Sequence, residues 1–162
     1  MADITNQNPM SNVDTRKLVT GKDGQLWVTP STGVPIFLGE VDSFQAQLNV
    51  TSTTVQPVGS AQQFAVETGF SISLSFSEMV VRDDVMLKPL YDDLAKGIFP
   101  RYDFQGKLRR RSDGMEERQN FTDCVLNGSV DLMTLSPGDI VRRNWNFHVN
   151  GAPDLQKFFP AA

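Results

Sequence analysis

The stretch Phe70-Ser-Ile-Ser-Leu-Ser-Phe-Ser77 decides how the chain is read, because Phe70, Ile72, Leu74 and Phe76 alternate with four serines without a break. Successive side chains of a strand point to opposite sides, so the octet has a dry aromatic and aliphatic face and a face of hydroxyls alone. The apolar row demands a core. The serine row is unusual: a solvated strand face ordinarily carries Lys, Glu or Arg, and here no charge appears until Glu78.

Working outward, Phe44, Ala46, Leu48 and Val50 alternate with Gln45, Gln47, Asn49 and Thr51 and repeat the same design. The two strands are expected to be neighbours. Ser52 to Gly69, between them, is longer than a compact domain needs for a connection. It is read as a projecting hairpin or loop whose Val55, Val58, Phe64 and Val66 the domain's own core leaves uncovered. Upstream, Gln25–Thr29 and Val34–Leu38 flank the turn Pro30-Ser-Thr-Gly33 and form a first hairpin. Pro35 lacks an amide hydrogen, so the second strand starts there or lies at an edge.

Downstream, Met86, Leu87, Leu90, Tyr91 and Leu94 recur at helical spacing, with Asp83 or Asp84 at the start, Pro89 in the first turn and Gly97 at the close. The apolar stripe of this helix is expected to cover the sheet. Tyr102–Arg111 and Glu116–Asn127 flank Ser112-Asp-Gly-Met115, a hairpin signal that sets Arg111 opposite Glu116 and Arg110 opposite Glu117. Phe121 and Val125 then fall on the face opposite Cys124 and Leu126, which calls for a bulge between 121 and 125. A last hairpin turning at Ser136-Pro-Gly-Asp139 pairs Leu126 with Val149, Gly128 with Phe147, Val130 with Trp145 and Leu132 with Arg143. On that reading Arg143 lies at the rim, its stem on apolar surface and its head in water. The opposite face carries Asn127, Ser129, Asp131 and Met133 against Arg142, Asn144, Asn146 and His148. In the tail, Leu155, Phe158 and Phe159 either close the domain or dock on a partner.

With 162 residues, 40% of them hydrophobic, the chain fits one domain with a real core. Residues 1–15 read as a flexible N-terminal arm and 16–162 as the β domain, mainly β: a two-sheet β-sandwich or half-open barrel with one flanking α-helix. Met1 to Asn12 has no apolar run of a secretory leader and no segment approaches a membrane span, so a soluble protein made in the cytoplasm is expected. The net charge of −4 argues against a protein that grips phosphates. Cys124, the single cysteine, leaves no internal disulfide and no cysteine metal cluster.

Chemistry is poorly represented. His148 is the only histidine and has no ligand set around it. Asp83-Asp84 and Asp92-Asp93 are sequence neighbours, which do not face each other as an acid/base pair must. Neither a phosphate-cradling glycine loop nor a Gly-x-Ser-x-Gly elbow occurs. Arg109-Arg-Arg111 is answered locally by Glu116-Glu117. No catalytic residue, metal or cofactor is expected, and the chain reads as an interaction protein.

The order of these elements, from Gly21-Lys-Asp-Gly-Gln-Leu-Trp-Val28 through the paired strands, the long loop, one helix and two closing hairpins ending in Asn144-Trp-Asn-Phe-His-Val149, resembles that of bacteriophage tail tube proteins of contractile and phage-tail-like particles. The resemblance spans about Thr15 to Phe159. It implies a virion tail protein that assembles with itself into six-membered rings, stacked as a tube through which DNA passes without specific binding. Sheath, tape-measure and baseplate or terminator proteins are the partners it implies, and no membrane. It makes Gln45, Gln47, Asn49, Ser71, Ser73 and Ser75 the lumen candidates, with Asn127, Ser129, Asp131, Asn144 and Asn146 behind them. The inter-subunit candidates are Val55, Pro57, Val58, Phe64, Val66, Leu155, Phe158 and Phe159. A tube-like secretion component or a tail-tip tube initiator is the related alternative, and a ligand-binding β-sandwich with an aromatic platform the distant one.

Overall fold

The computed structural model describes residues 15–30 and 33–160. The arm read over residues 1–15 falls almost wholly outside the described residues. Eight strands and one helix follow in order: β1 (Gly24–Thr29), β2 (Ile36–Phe37), β3 (Val41–Val55), β4 (Phe64–Met79), α1 (Leu87–Ala95), β5 (Arg101–Arg109), β6 (Glu116–Leu126), β7 (Arg142–Val149) and β8 (Asp154–Lys157). They form one antiparallel sheet in the order β2-β1-β5-β6-β7-β4-β3, with β8 added against β6. The sheet curls without closing. Phe44 of β3 comes round to Phe121 of β6, with ring centroids 6.4 Å apart. Of the two expected architectures, this is the half-open barrel.

The opening octet is the middle of β4. Ile72, Leu74 and Phe76 are buried while the serines between them are partly exposed. Phe76 stacks on Phe147 at 5.9 Å, and Phe104 packs against Phe147 at 4.9 Å. Trp145, Phe104 and Tyr102 complete an aromatic centre with almost no exposed surface. Burying each such side chain fully is worth roughly 1.5–3 kcal/mol, which is why the period-two pattern fixes which face turns inward.

The expected bulge exists and is located: Tyr102 pairs with Cys124 but Phe104 with Phe121, so β6 carries one extra residue. Asp123 takes it up in the left-handed region at φ +50°. Its amide donates to Asp103 Oδ1 at 2.9 Å and its carboxylate accepts from Arg101 at 2.6 Å. The bulge brings Phe121 and Cys124 to the same core.

Several expectations are corrected. In the β5–β6 hairpin Arg109, not Arg111, stands opposite Glu116, and Leu108 opposite Glu117. The loop is longer than a two-residue turn because Arg110 folds back, its amide bonded to the Met115 carbonyl and its guanidinium to Asp113. Arg111 instead pairs with Asp23. In the last hairpin Leu126 faces Phe147 and Cys124 faces Val149, again two residues from the expected register. Residues 127–141 leave the ladder: Gly128 turns at φ +73°, and the side chains of Asn146 and Arg143 bond to the carbonyls of Ser129 and Leu132. Arg143 is not at a wet rim. It is buried at 6% exposure and ion-paired with Asp83, so that acid serves β7 rather than capping α1. The α1 stripe is only half used, since Met86 and Leu90 are buried whereas Tyr91 and Leu94 remain exposed.

Candidate functional site

The β3–β4–β7 ladder assembles the uncharged residues into one surface. Register sets Gln45 opposite Ser75 and Ser75 opposite Asn146; Gln47 lies opposite Ser73, and Ser73 opposite His148. Asn49 pairs with Ser71, while Ser77 lies between Ser43 and Asn144. Paired residues share a face, so eight of the eleven lumen candidates occupy a single three-strand surface. Within this surface Asn49 Nδ2 donates to Ser73 Oγ at 3.2 Å.

The other three, Asn127, Ser129 and Asp131, sit in the segment leaving β6 rather than on a strand. Two of them still border the surface: Asn146 Nδ2 donates to the Ser129 carbonyl at 2.8 Å, and Asn144 Nδ2 to Asp131 at 3.1 Å. Sequence reading left Ser43, Ser77 and His148 out of the set, although continuing the alternation to both ends of each strand would have included them. Charge enters at one margin, where Arg142 Nε bonds Asp42 Oδ2 at 2.8 Å. The Arg142 guanidinium holds the Asp42 carboxyl below the usual range and also pairs with Asp139 at 3.4 Å.

Beyond this surface β3 and β4 continue as a free-standing hairpin. Fourteen register pairs join them from Val41↔Glu78 to Val55↔Phe64. The core touches only the near end: Leu48, Val50, Val55, Phe64, Val66 and Phe70 are all about half exposed or more, and Val58 at the tip is fully so. Pro57 opens the tip turn, its carbonyl accepting from the Ser60 amide. In the tail, Leu155 and Phe158 are exposed on and after β8, whereas Phe159 packs under the Arg110 guanidinium at 5.2 Å and closes the domain.

Nothing here has the form of a reactive centre. Cys124 is fully buried, and burial pushes its thiol up to about 12. Among the described residues no three His, Cys, Asp or Glu side chains gather as a metal set, and no helix is long and apolar enough to cross a membrane. Trp145 is wholly buried, and Trp27 is flanked by Phe37 at 5.4 Å and by the Lys107 ammonium at 4.9 Å, so neither forms an open aromatic platform.

A barrel left open, a charge-poor face three strands wide and an uncovered hairpin define a subunit that other copies complete. Residues 11–153 match the family described as phage tail tube protein, and the chain belongs to that family. It is a structural tail-tube subunit, a component of phage tail particles. No curated protein sequence matches it. Among solved structures, the fold is similar to the SPP1 tail tube (TM-score 0.65, 11% identity, covering 88% of this chain and 81% of that one). It is also similar to a chain of the anti-feeding prophage baseplate (TM-score 0.61, 6% identity, 83% and 92%) and to one of a gene transfer agent virion (TM-score 0.58, 13% identity, 86% and 99%).

Proposed function

We propose that six copies close into a ring, that rings stack into a hollow tube, and that the β3–β4–β7 polar face lines its lumen as a conduit for DNA. The observation that carries this reading is the continuous surface of Ser, Gln and Asn, with charge confined to its borders at Arg142, Asp42 and Asp131. A wall that duplex DNA must slide past has to be wetted without holding phosphate, and each bound phosphate would add a counterion-release term that retards passage. Uncharged hydroxyls and amides meet both needs. The sixfold count is supported by two of the fold neighbours, one described as 6-fold symmetrised and the other, a gene transfer agent tail, refined with C6 symmetry. Sheath, tape-measure and baseplate or terminator proteins are the partners of this reading. Other neighbours include a sheath-tube complex and a tube-terminating cap. The role is mechanical and non-enzymatic.

Negative-stain microscopy of the purified protein tests it. Rings or tubes with an axial hole are expected; a species that stays monomeric at every concentration overturns the reading.

A further inference from the structure

The chain holds two Asn-Gly dipeptides, Asn127-Gly128 and Asn150-Gly151, and the fold treats them in opposite ways. Such a pair has its own chemistry, because a glycine amide nitrogen with no side chain beside it can swing onto the Cγ of the preceding asparagine and close a five-membered ring. Closure requires a nitrogen that is free to give up its proton and a backbone that is free to turn.

Asn127 and Gly128 meet both conditions. They are exposed and lie just past the end of β6 at Leu126. Among the described residues neither the Gly128 amide nor the Asn127 side chain has a hydrogen-bond partner. Gly128 stands at φ +73°, with nothing within 4 Å of where a Cβ would lie. Asn146 brackets the pair: its carbonyl accepts from the Asn127 amide at 3.0 Å and its side chain donates to the Ser129 carbonyl at 2.8 Å, so the bonds stop on either side of the reacting peptide unit. The second dipeptide meets neither condition. The Gly151 amide donates to the Thr122 carbonyl at 3.0 Å and the Asn150 amide to the Asp123 carbonyl at 3.2 Å. Gly151 is also pressed onto Thr122, where a Cβ would lie 1.9 Å from Oγ1, so its nitrogen is both engaged and held still. The other described asparagines, Asn49, Asn120, Asn144 and Asn146, lie within strands and precede Val50, Phe121, Trp145 and Phe147, whose side chains obstruct the approach.

We propose that Asn127 is a site of self-modification, losing its side-chain amide to give aspartate and isoaspartate at position 127. The Gly128 nitrogen yields its proton to hydroxide and bonds to Asn127 Cγ; the Cγ–Nδ2 bond breaks and ammonia leaves, protonated by water; a second water then opens the succinimide. Opening at one carbonyl gives aspartate, and at the other isoaspartate, whose main chain runs through the side-chain carbon. In sum an amide and a water become a carboxylate and an ammonium ion. Each event places a carboxylate beside Asn146 and takes the net charge from −4 to −5. The chemistry is independent of the ring-and-tube reading. Within that reading every subunit adds a charge at the border of the DNA-facing surface, of the sign that repels phosphate, and the channel wall turns more anionic as a particle ages.

Ageing the full chain at neutral and mildly alkaline pH, followed by digestion and tandem mass spectrometry, tests the proposal whatever the assembly state. The mass gain of NH2 replaced by OH is expected at Asn127 on the order of tenfold or more faster than at Asn150, which reacts only after its bonds to β6 open. The rate should rise with hydroxide concentration, and isoaspartate, which only the opened ring yields, should be among the products. In urea, where neither dipeptide is held, the two rates should converge. Asn127→Gln, whose longer side chain closes a six-membered ring far more slowly, should lose the acidic band that the native chain develops on isoelectric focusing and keep the native melting temperature. Equal rates in the folded protein, a faster Asn150, or an unchanged Asn127 while the urea sample reacts would each overturn the proposal. Aspartate without isoaspartate overturns the succinimide route, and an acidic band that persists in the variant moves the reaction to another residue.

Discussion

Glu78 marks the place in β4 where the serine alternation stops, and its carboxylate is buried, at 3% exposure, accepting a hydrogen bond from Trp145 Nε1 at 2.9 Å. Burial raises its carboxyl above the ordinary 4.5, against the opposing effects of Trp145 and Arg143. Between the ordinary and the raised value the folded state holds more protons than the unfolded one, so this group makes stability fall as pH rises through that window. Asp42 and Asp113 act in the opposite sense: held low by Arg142 and Arg110, they stabilise the fold above the usual carboxylate range and lose that effect as the medium turns acid. Glu78→Gln should therefore flatten the decline in melting temperature above about pH 4.5 and leave the acid limb in place. Thermal melts from pH 3 to 8 check this, and a decline that persists in the variant assigns it elsewhere. Gly151 is a second residue with a definite cost. A Cβ there would lie 1.9 Å from Thr122 Oγ1 and 2.7 Å from the Thr122 carbonyl oxygen, so Gly151→Ala forces the bulged strand aside. A loss of about 1–3 kcal/mol is expected in urea unfolding with an unchanged m-value.

At the scale of elements, the β3–β4 hairpin is expected to serve assembly and not folding. Residues 61–70 are exposed throughout, as are 47–59, and none belongs to the core cluster. Replacing Ser52–Gly69 with a two-residue turn should leave a monomer with the native melting transition that no longer polymerises, as gel filtration and microscopy would show; a deletant that still forms tubes refutes this division. The elements also show what was legible beforehand. Strict alternation from Phe70 to Ser77 and from Phe44 to Thr51 identified the pair and its faces, because a period of two leaves one solution when one face is dry. Register at the turns was less legible. Both later hairpins were displaced by two residues, Arg110 and Asp113 closing one loop and Gly128 with two side-chain-to-carbonyl bonds opening the other. A shift of two preserves the face, so Asn144 and Asn146 of β7 were placed on the polar surface although their partners were misjudged, whereas Asn127, Ser129 and Asp131 lie in the segment that leaves the ladder. Arg143 was misplaced because its partner Asp83 is sixty positions away in the chain, and only the folded topology brings them together.

For the whole molecule, the central assignment is the lumen face, and Ser73→Lys examines it. Ser73 is partly exposed between Gln47 and His148, so a lysine there reaches solvent and the monomer should melt as the wild type does. In the proposed ring six lysines would crowd one level of the channel. Assembly or DNA delivery should fall by an order of magnitude or more, with partial recovery at high salt as the charges are screened; full delivery at low salt would place this face elsewhere. The sheet order has one more consequence. β3 ends the sheet, its outer edge carries unpaired backbone groups, and Glu67 is the single charge between Ser43 and Ser77. Natural edge strands are ordinarily guarded by charge, proline or brevity, and this one has little of any. The free subunit therefore presents an edge open to pairing with another chain, and joining copies side by side in the proposed ring would consume that edge.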